Sequence, residues 1–364
     1  GTNAITEISD VPDAPTIGTA TADVLSATVT YTAAATGGTV TTFTATSTPG
    51  SFTGTGSSPI TVSGLTGGTS YTFTVTGTNS TGSAVSAASN SVTAASATRG
   101  VFAGGYYGST YTNTLDYITV ETTGNATSFG NLSVARYTAV ATSSSTRGVF
   151  AGGEQSGPAK TAVMDYITIL TTGNATNFGN LTLARAGHGG VSSSTRGVYG
   201  GGYAGTYDAT IDYITIATTG NATSFGTLTL GRAGIGSCNS TTRGIFAGGS
   251  NAGGGIRIDY VTIASTGNAT TFGSLAATSN NIASGGSSTR GIFACRDDLS
   301  TGTKLNIDYI TIATTGNSTD FGNLSVQRNQ GEGASGPTRL VIGGGFDEST
   351  GNATVLMDLS LIHI

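Results

Sequence analysis

Tyrosine, arginine, aspartate and asparagine are the residues of this 364-residue chain whose types and spacing could do chemistry. Tyrosines gather in two short stretches, Tyr106, Tyr107 and Tyr111 in one and Tyr203 and Tyr207 in the other, each among small residues. A tyrosine presents a flat apolar face with a hydroxyl at its tip, which suits stacking on a sugar ring or a protein surface. Arginines recur at Arg99, Arg147, Arg196, Arg243, Arg290 and Arg339, and again at Arg136, Arg185, Arg232 and Arg328. Such guanidiniums could ring an anionic glycan or phosphate, or they could fork onto carboxylates and carbonyl groups and tie neighbouring elements together. Recurrence at fixed places within one chain is what architecture demands, and it favours the second use. Aspartates recur beside them at Asp116, Asp165, Asp212, Asp259 and Asp308, with Asp358 standing alone near the C-terminus. Asn-Ala-Thr at Asn125, Asn174, Asn221 and Asn268, and Asn-Ser-Thr at Asn317, match glycosylation acceptors. Each also stands where a tight hairpin wants asparagine, and turn chemistry accounts for them.

Other chemistry finds little material. The only histidines are His188 and His363, too few for a copper or zinc centre. Tryptophan is absent, and with it the aspartate-box motif of sialidases. Asp297-Asp298 and Asp347-Glu348 are adjacent acidic pairs in loops, whereas a calcium site needs more oxygens at alternating spacing. Cys238 and Cys295 have no metal-like spacing and read as two unpaired core thiols. The expectation is therefore a protein that is not an enzyme, with no catalytic residue, metal or cofactor. A net charge of −5 and a pI near 4.9 argue against nucleic acid or an anionic membrane as partner. No stretch approaches the ~20 apolar residues of a membrane span. A chain that starts at Gly1 without initiator Met or signal peptide reads as a processed or excised piece.

The elements that position these residues come from a block repeating about every 48 residues from Thr98 onward. It reads T-R-G-[VI]-[FY]-A-G-G, a variable loop, [LI]-D-Y-[IV]-T-[IV], then T-G-N-[AS]-T-x-F-G. A self-similar unit of this length cannot bury its own apolar faces and must stack on its neighbours. In the copy that follows Arg136, four strands are expected: a at 137–143, b at 147–152, c at 163–170 and d at 175–179. The glycine pair ending b allows a sharp exit, and Thr172-Gly173-Asn174 supplies the turn between c and d. Four antiparallel strands per unit fit a propeller blade better than a solenoid coil.

Before the repeats the pattern changes. Residues 1–97 contain no lysine or arginine, and short runs alternate apolar and polar residues between glycine and proline turns, as in 27–31, 42–46, 60–62 and 71–75. This predicts an antiparallel sandwich of about seven strands. Gly64-Leu65-Thr66-Gly67-Gly68-Thr69-Ser70-Tyr71, followed by Phe73, Val75, Asn79 and Gly82, resembles the fibronectin type III signature. The resemblance implies that Leu65 and Tyr71 form a corner before the sixth strand. Tyr31 stands where that family usually buries a tryptophan, and Gly67 where it has proline. The glycine pairs Gly104-Gly105, Gly152-Gly153, Gly201-Gly202, Gly248-Gly249 and Gly344-Gly345, each followed by an acidic residue in the next strand, resemble the kelch repeat. The fifth copy departs with Cys295-Arg296, and Phe129, Phe178, Phe225, Phe272 and Phe321 stand in for the family's tryptophan. The wording of these copies looks like the repeats of structural proteins from marine tailed phages, where type III modules also occur.

Together these features predict an all-β chain: a segment at 1–9, a type III-like sandwich at 10–97 and a kelch-like propeller at 98–364. Six b–c pairs but only five d–a connections leave a six-bladed ring short of one d strand and one a strand. The shortfall could be met by residues 1–9, by a neighbouring chain or by sequence past Ile364. The b–c loops differ in every copy, at 106–111, 154–160, 203–208, 250–257, 296–304 and 346–352. Loops that vary per repeat on one face are often the binding face. The candidate ligand residues are Tyr106, Tyr107, Tyr111, Tyr203, Tyr207, Arg257, Asp297 and Lys304. The resemblance implies a virion or extracellular appendage that attaches to a host-surface glycan or protein, or to other virion proteins, as a homo-oligomer. A self-assembling structural filament and a secreted bacterial adhesin are the alternatives.

Overall fold

The computed structural model describes residues 10–95, 98–120, 122–251, 255–294, 305–327, 330–336, 339–347, 352–353 and 357–361. Strands, turns and loops make up all of these residues, without a helix. The chain forms two compact units, Gly1–Thr98 and Arg99–Ile364.

In the first unit, strands β1 (Thr16–Asp23), β2 (Ser26–Thr32) and β5 (Ile60–Ser63) form one sheet in the order β1-β2-β5. A second sheet runs β4 (Thr53–Thr55), β3 (Thr42–Thr48), β6 (Ser70–Thr78) and β7 (Ser83–Val85), with β8 (Val92–Thr93) pairing the start of β6. Period-2 alternation sends Tyr71, Phe73 and Val75 of β6 inward against Ala27, Val29, Ile60 and Val62, while the intervening threonines face outward. Buried Tyr71 accepts a hydrogen bond on its hydroxyl from the Thr66 amide at 2.9 Å, which fixes the turn into β6. Tyr31 does not replace a buried core ring. It lies half-buried at the core's edge, 4.5 Å from the Phe43 ring, because its hydroxyl reaches out to the Gly56 carbonyl.

The second unit is a series of six small antiparallel sheets, one per repeat. The first holds β9 (Arg99–Tyr107), β10 (Thr110–Thr119) and β11 (Thr127–Asn131). The second holds β12 (Val140–Ser143), β13 (Arg147–Ala151), β14 (Val163–Thr168) and β15 (Thr176–Asn180). The third to fifth repeat that order as β16 (Gly189–Ser192) to β19 (Thr223–Thr227), β20 (Gly236–Asn239) to β23 (Thr270–Ser274) and β24 (Ala283–Gly286) to β27 (Thr319–Asn323). The sixth holds β28 (Glu332–Ser335), β29 (Arg339–Gly343) and β32 (Met357–Leu361), with a small hairpin, β30 (Phe346–Asp347) and β31 (Asn352–Ala353), in its loop. The first strands β12, β16, β20, β24 and β28 lie side by side in succession, and β28 lies against β9. Ile118, Val120 and Val341 pack together there, so the sixth sheet touches the first.

Element bounds differ slightly from the sequence pattern. Strand β12 starts three residues late because Thr138 takes a left-handed φ of 54°, and Tyr137 instead bridges Glu154 in the next loop. Strand β14 stops at Thr168, where Thr171 turns back onto its carbonyl. The glycine pair after β13 exits with left-handed φ values of 61° at Gly152 and 108° at Gly153, a turn that side chains resist.

Three recurring contacts join each sheet to its neighbours. Arg147 stacks 4.3 Å over Tyr166 and donates to the carbonyls of Ile216 and Ala217 in the third sheet. Arg196 and Arg243 repeat this over Tyr213 and Tyr260, donating to Ile263 with Ala264 and to Ile312 with Ala313. In the second contact Arg136, Arg185 and Arg232 are fully buried and pair with the equally buried Asp165, Asp212 and Asp259 at 3.0, 3.0 and 2.7 Å. Burial pulls these guanidiniums below their usual range and the partner carboxylate opposes it. Ser133, Thr182 and Thr229 donate to the same carboxylates. Third, the Gly-Asn turn of one sheet caps the last strand of the sheet before it: Asn174 accepts from the Asn131 amide, and the Gly173 amide donates to Phe129. The glycine of the F-G pair is required there, since a side chain at Gly130 or Gly179 would collide with the carbonyl of Gly173 or Gly220.

Candidate functional site

The tyrosine stretches converge on the loops that join the second and third strands of consecutive sheets. Strands β9 and β10 continue past the length of their counterparts and close at Gly108-Ser109, both in left-handed φ. That extension carries Tyr106 and Tyr111 as directly paired residues, with ring centres 4.9 Å apart and edge to face. Tyr137 lies 6.1 Å from Tyr106 on the other side. The Tyr111 hydroxyl donates to Glu154 at 3.0 Å, and Glu154 forms a salt bridge with Lys160 in the second sheet's loop. The Lys160 ammonium sits 5.6 Å over the ring of Tyr203, whose neighbour Tyr207 packs edge-on at 5.6 Å in the third sheet's loop. Six of these residues thus form one run across three loops: Tyr106, Tyr111, Glu154, Lys160, Tyr203 and Tyr207.

The run is open to solvent. Tyr106, Tyr107, Tyr203 and Tyr207 are 49, 72, 39 and 46% exposed, high values for rings of this size. Desolvation followed by the bond to Glu154 raises the Tyr111 hydroxyl above its ordinary range, so it stays a donor across the accessible pH range. Burial, then Glu332 and Glu154, push half-buried Tyr137 up to about 12. The chemistry on offer is stacking by rings held on a hairpin, with a carboxylate, an ammonium and hydroxyls between them.

Of the sequence-selected residues, the structure brings together Tyr106, Tyr111, Tyr203 and Tyr207, and places Tyr107 at the tip beside them. Arg257 is not part of this run; it starts β22 (Arg257–Thr262) and turns its guanidinium to the Thr229 hydroxyl at 3.4 Å. Asp297 and Lys304 lie outside the described residues. Sequence reasoning missed Tyr137, Glu154 and Lys160 as members. Tyr137 was hidden in a stretch that looks like strand, whereas Lys160 carried a usable signal, being one of only two lysines in the chain. Among the described residues no three His, Cys, Asp or Glu side chains are grouped to hold a metal. Cys238 is a free buried thiol.

No family model matches the chain, and no curated protein does. Among solved structures it is similar to one described as "Structure of YjhT", with a TM-score of 0.55 over 69% of this chain and 89% of that one, at 14% identity. At that identity the likeness speaks to the fold alone: an all-β chain of many small antiparallel sheets.

Proposed function

We propose that this chain is a non-enzymatic binding protein, an appendage of a virion, that attaches to carbohydrate on a host surface. Its second unit is read as a six-bladed kelch-like propeller and its first as a fibronectin type III spacer. Supporting the propeller are six like sheets, five of whose first strands lie side by side, with the sixth sheet packed on the first. Supporting the type III domain are the β1-β2-β5 and β4-β3-β6-β7 strand orders and the Tyr71 hydroxyl bonded back to Thr66. The virion setting rests on the resemblance of the repeat wording to tailed-phage structural proteins.

One observation carries the binding reading: exposed rings from separate loops meet in a continuous run with Glu154 and Lys160 between them. Aromatic faces flanked by a charged donor and acceptor suit the alternating C–H faces and hydroxyls of a sugar chain. A glycan array probed with the chain and with Tyr107→Ala, Tyr111→Ala, Tyr203→Ala and Tyr207→Ala tests this. A glycan hit that these changes abolish or weaken is expected; binding indifferent to all four would remove the site.

A further inference from the structure

Three recurring contact points in the second unit have no occupant among the described residues, and all three belong to one kind of segment. The first is on the last strand of the fifth sheet. Gly130, Gly179, Gly226 and Gly273 each face the Gly carbonyl of the next sheet's Gly-Asn turn, but Gly322 has nothing within 4 Å among the described residues. The second is Asp116. Its counterparts Asp165, Asp212 and Asp259 are buried under an arginine and a hydroxyl from the segment entering their sheet, whereas Asp116 is exposed and has no partner among the described residues. The third is Gly148. A side chain at Gly197, Gly244 or Gly291 would run into Thr142, Val191 or Cys238 on the first strand of the preceding sheet, and one at Gly100 would meet Ala334 at 2.6 Å. At Gly148 the nearest neighbours among the described residues are Ile167 and Ile169, at 3.4 Å and beyond.

Two stretches of chain, 173–191 and 220–238, each make all three contacts, whereas Ser279 takes the arginine's place in the stretch after Gly267. Between the second and third sheets, Gly173 reaches back to Gly130, Arg185 binds Asp212, and Val191 packs on Gly244. The spacing from glycine to arginine to inner residue is constant, as Gly124, Arg136 and Thr142 or Gly220, Arg232 and Cys238 show. A segment with that spacing, leaving β32 and entering beside β9, falls on Gly322, Asp116 and Gly148 in turn. It would also cover β9, whose Val101, Phe102 and Ala103 are half-buried where Val149, Phe150 and Ala151 of β13 are buried.

We infer that the seam between the sixth and first sheets is a docking site for one polypeptide segment of the repeat's own type. That segment carries Gly-Asn, then an arginine twelve residues after the glycine, then a strand of small residues. Its arginine seats on Asp116 with its inner strand along β9. This rests on the ring arrangement read above and not on the carbohydrate site.

The test uses the full chain and a synthetic, fluorescent peptide of residues 171–193, with titration followed by anisotropy. Saturable one-to-one binding is expected. Arg185→Ala in the peptide, or Asp116→Asn in the chain, should each weaken it at least ~30-fold, as when one partner of a desolvated charge pair is removed. Asp116 is exposed, and a Cβ at Gly148 meets Ile167 and Ile169 at ordinary contact distance, so Asp116→Asn and Gly148→Ala leave the chain folded; Gly148→Ala should weaken binding, because at Gly197, Gly244 and Gly291 the same Cβ would press into the inner strand. The four tyrosine variants should bind the peptide normally, which separates this site from the carbohydrate face. Binding no better than that of a scrambled peptide, or insensitive to Asp116 and Gly148, would overturn the inference. So would peptide binding that appears only after removal of residues 1–9, because the position would then be already held by them.

Discussion

The middle sheets of the second unit and the two sheets at its seam carry the same sequence block and differ in what touches them. Asp212 and Asp116 occupy equivalent places beside a tyrosine in the third strand, yet one is sealed under Arg185 and the other is open to water. Gly244 and Gly148 lie in equivalent strands, one pressed on Val191 of the preceding sheet and the other near only its own sheet's Ile167 and Ile169 among the described residues. The difference teaches that the recurring residues do their work between sheets. Their value therefore depends on which neighbour is present, not on the local sequence.

The largest expected contrast is between the aspartates. Asp259→Ala strands the buried Arg232 guanidinium and should cost about 3–5 kcal/mol in the second unit's unfolding. Asp116→Ala should change it by no more than about 0.5 kcal/mol. Chemical denaturation of both variants decides it, and equal losses would break the comparison. Next is the glycine pair: Gly244→Ala pushes a methyl into Val191 and should cost about 1–3 kcal/mol, while Gly148→Ala, with its nearest neighbour at 3.4 Å, should be near neutral.

A smaller effect sits within the middle sheets. His188 is buried beside Tyr199 with neither ring nitrogen hydrogen-bonded among the described residues, where the next two copies have Ile235 and Ile282. Burial first, then Arg185 and Arg136, hold it well below 6.5. The unfolded chain therefore takes up a proton near pH 6.5 that the folded chain refuses. Stability is full above that pH and falls below it, by up to about 1.4 kcal/mol per pH unit. His188→Ile should flatten that acid slope in thermal melts run on either side of pH 6.5. An unchanged slope would place the acid sensitivity elsewhere. The smallest effect is expected from Tyr107→Ala and Tyr207→Ala, within about 0.5 kcal/mol in stability, even as they weaken carbohydrate binding. A large stability loss would make those rings part of the scaffold.

Much of this was legible in the sequence, because each strand and turn is a local pattern. The alternation in 71–75 places Tyr71, Phe73 and Val75 inward, whereas the turn after β14 closes between Thr168 and Thr171, just ahead of Thr172-Gly173-Asn174, whose Gly173 and Asn174 cap the preceding sheet instead. What repeats could not tell was the partner of each recurring residue. Arg136 and Asp165 recur in step in most copies, with Ser279 at the arginine's place in one, so no spacing says which arginine seals which carboxylate. Convergence of Tyr111, Glu154, Lys160 and Tyr203 was likewise hidden, since it joins loops with no common pattern. Arg257 stood out by its charge but turns to Thr229, a contact made by its own sheet's entry segment.

Amide hydrogen exchange on the chain alone tests most directly the claim that the seam lacks one strand. The β9 amides whose counterparts in β13 are bonded to β12 should exchange much faster than those counterparts, and should become protected when the peptide of residues 171–193 is added. Equal protection of β9 and β13 without the peptide would contradict the account.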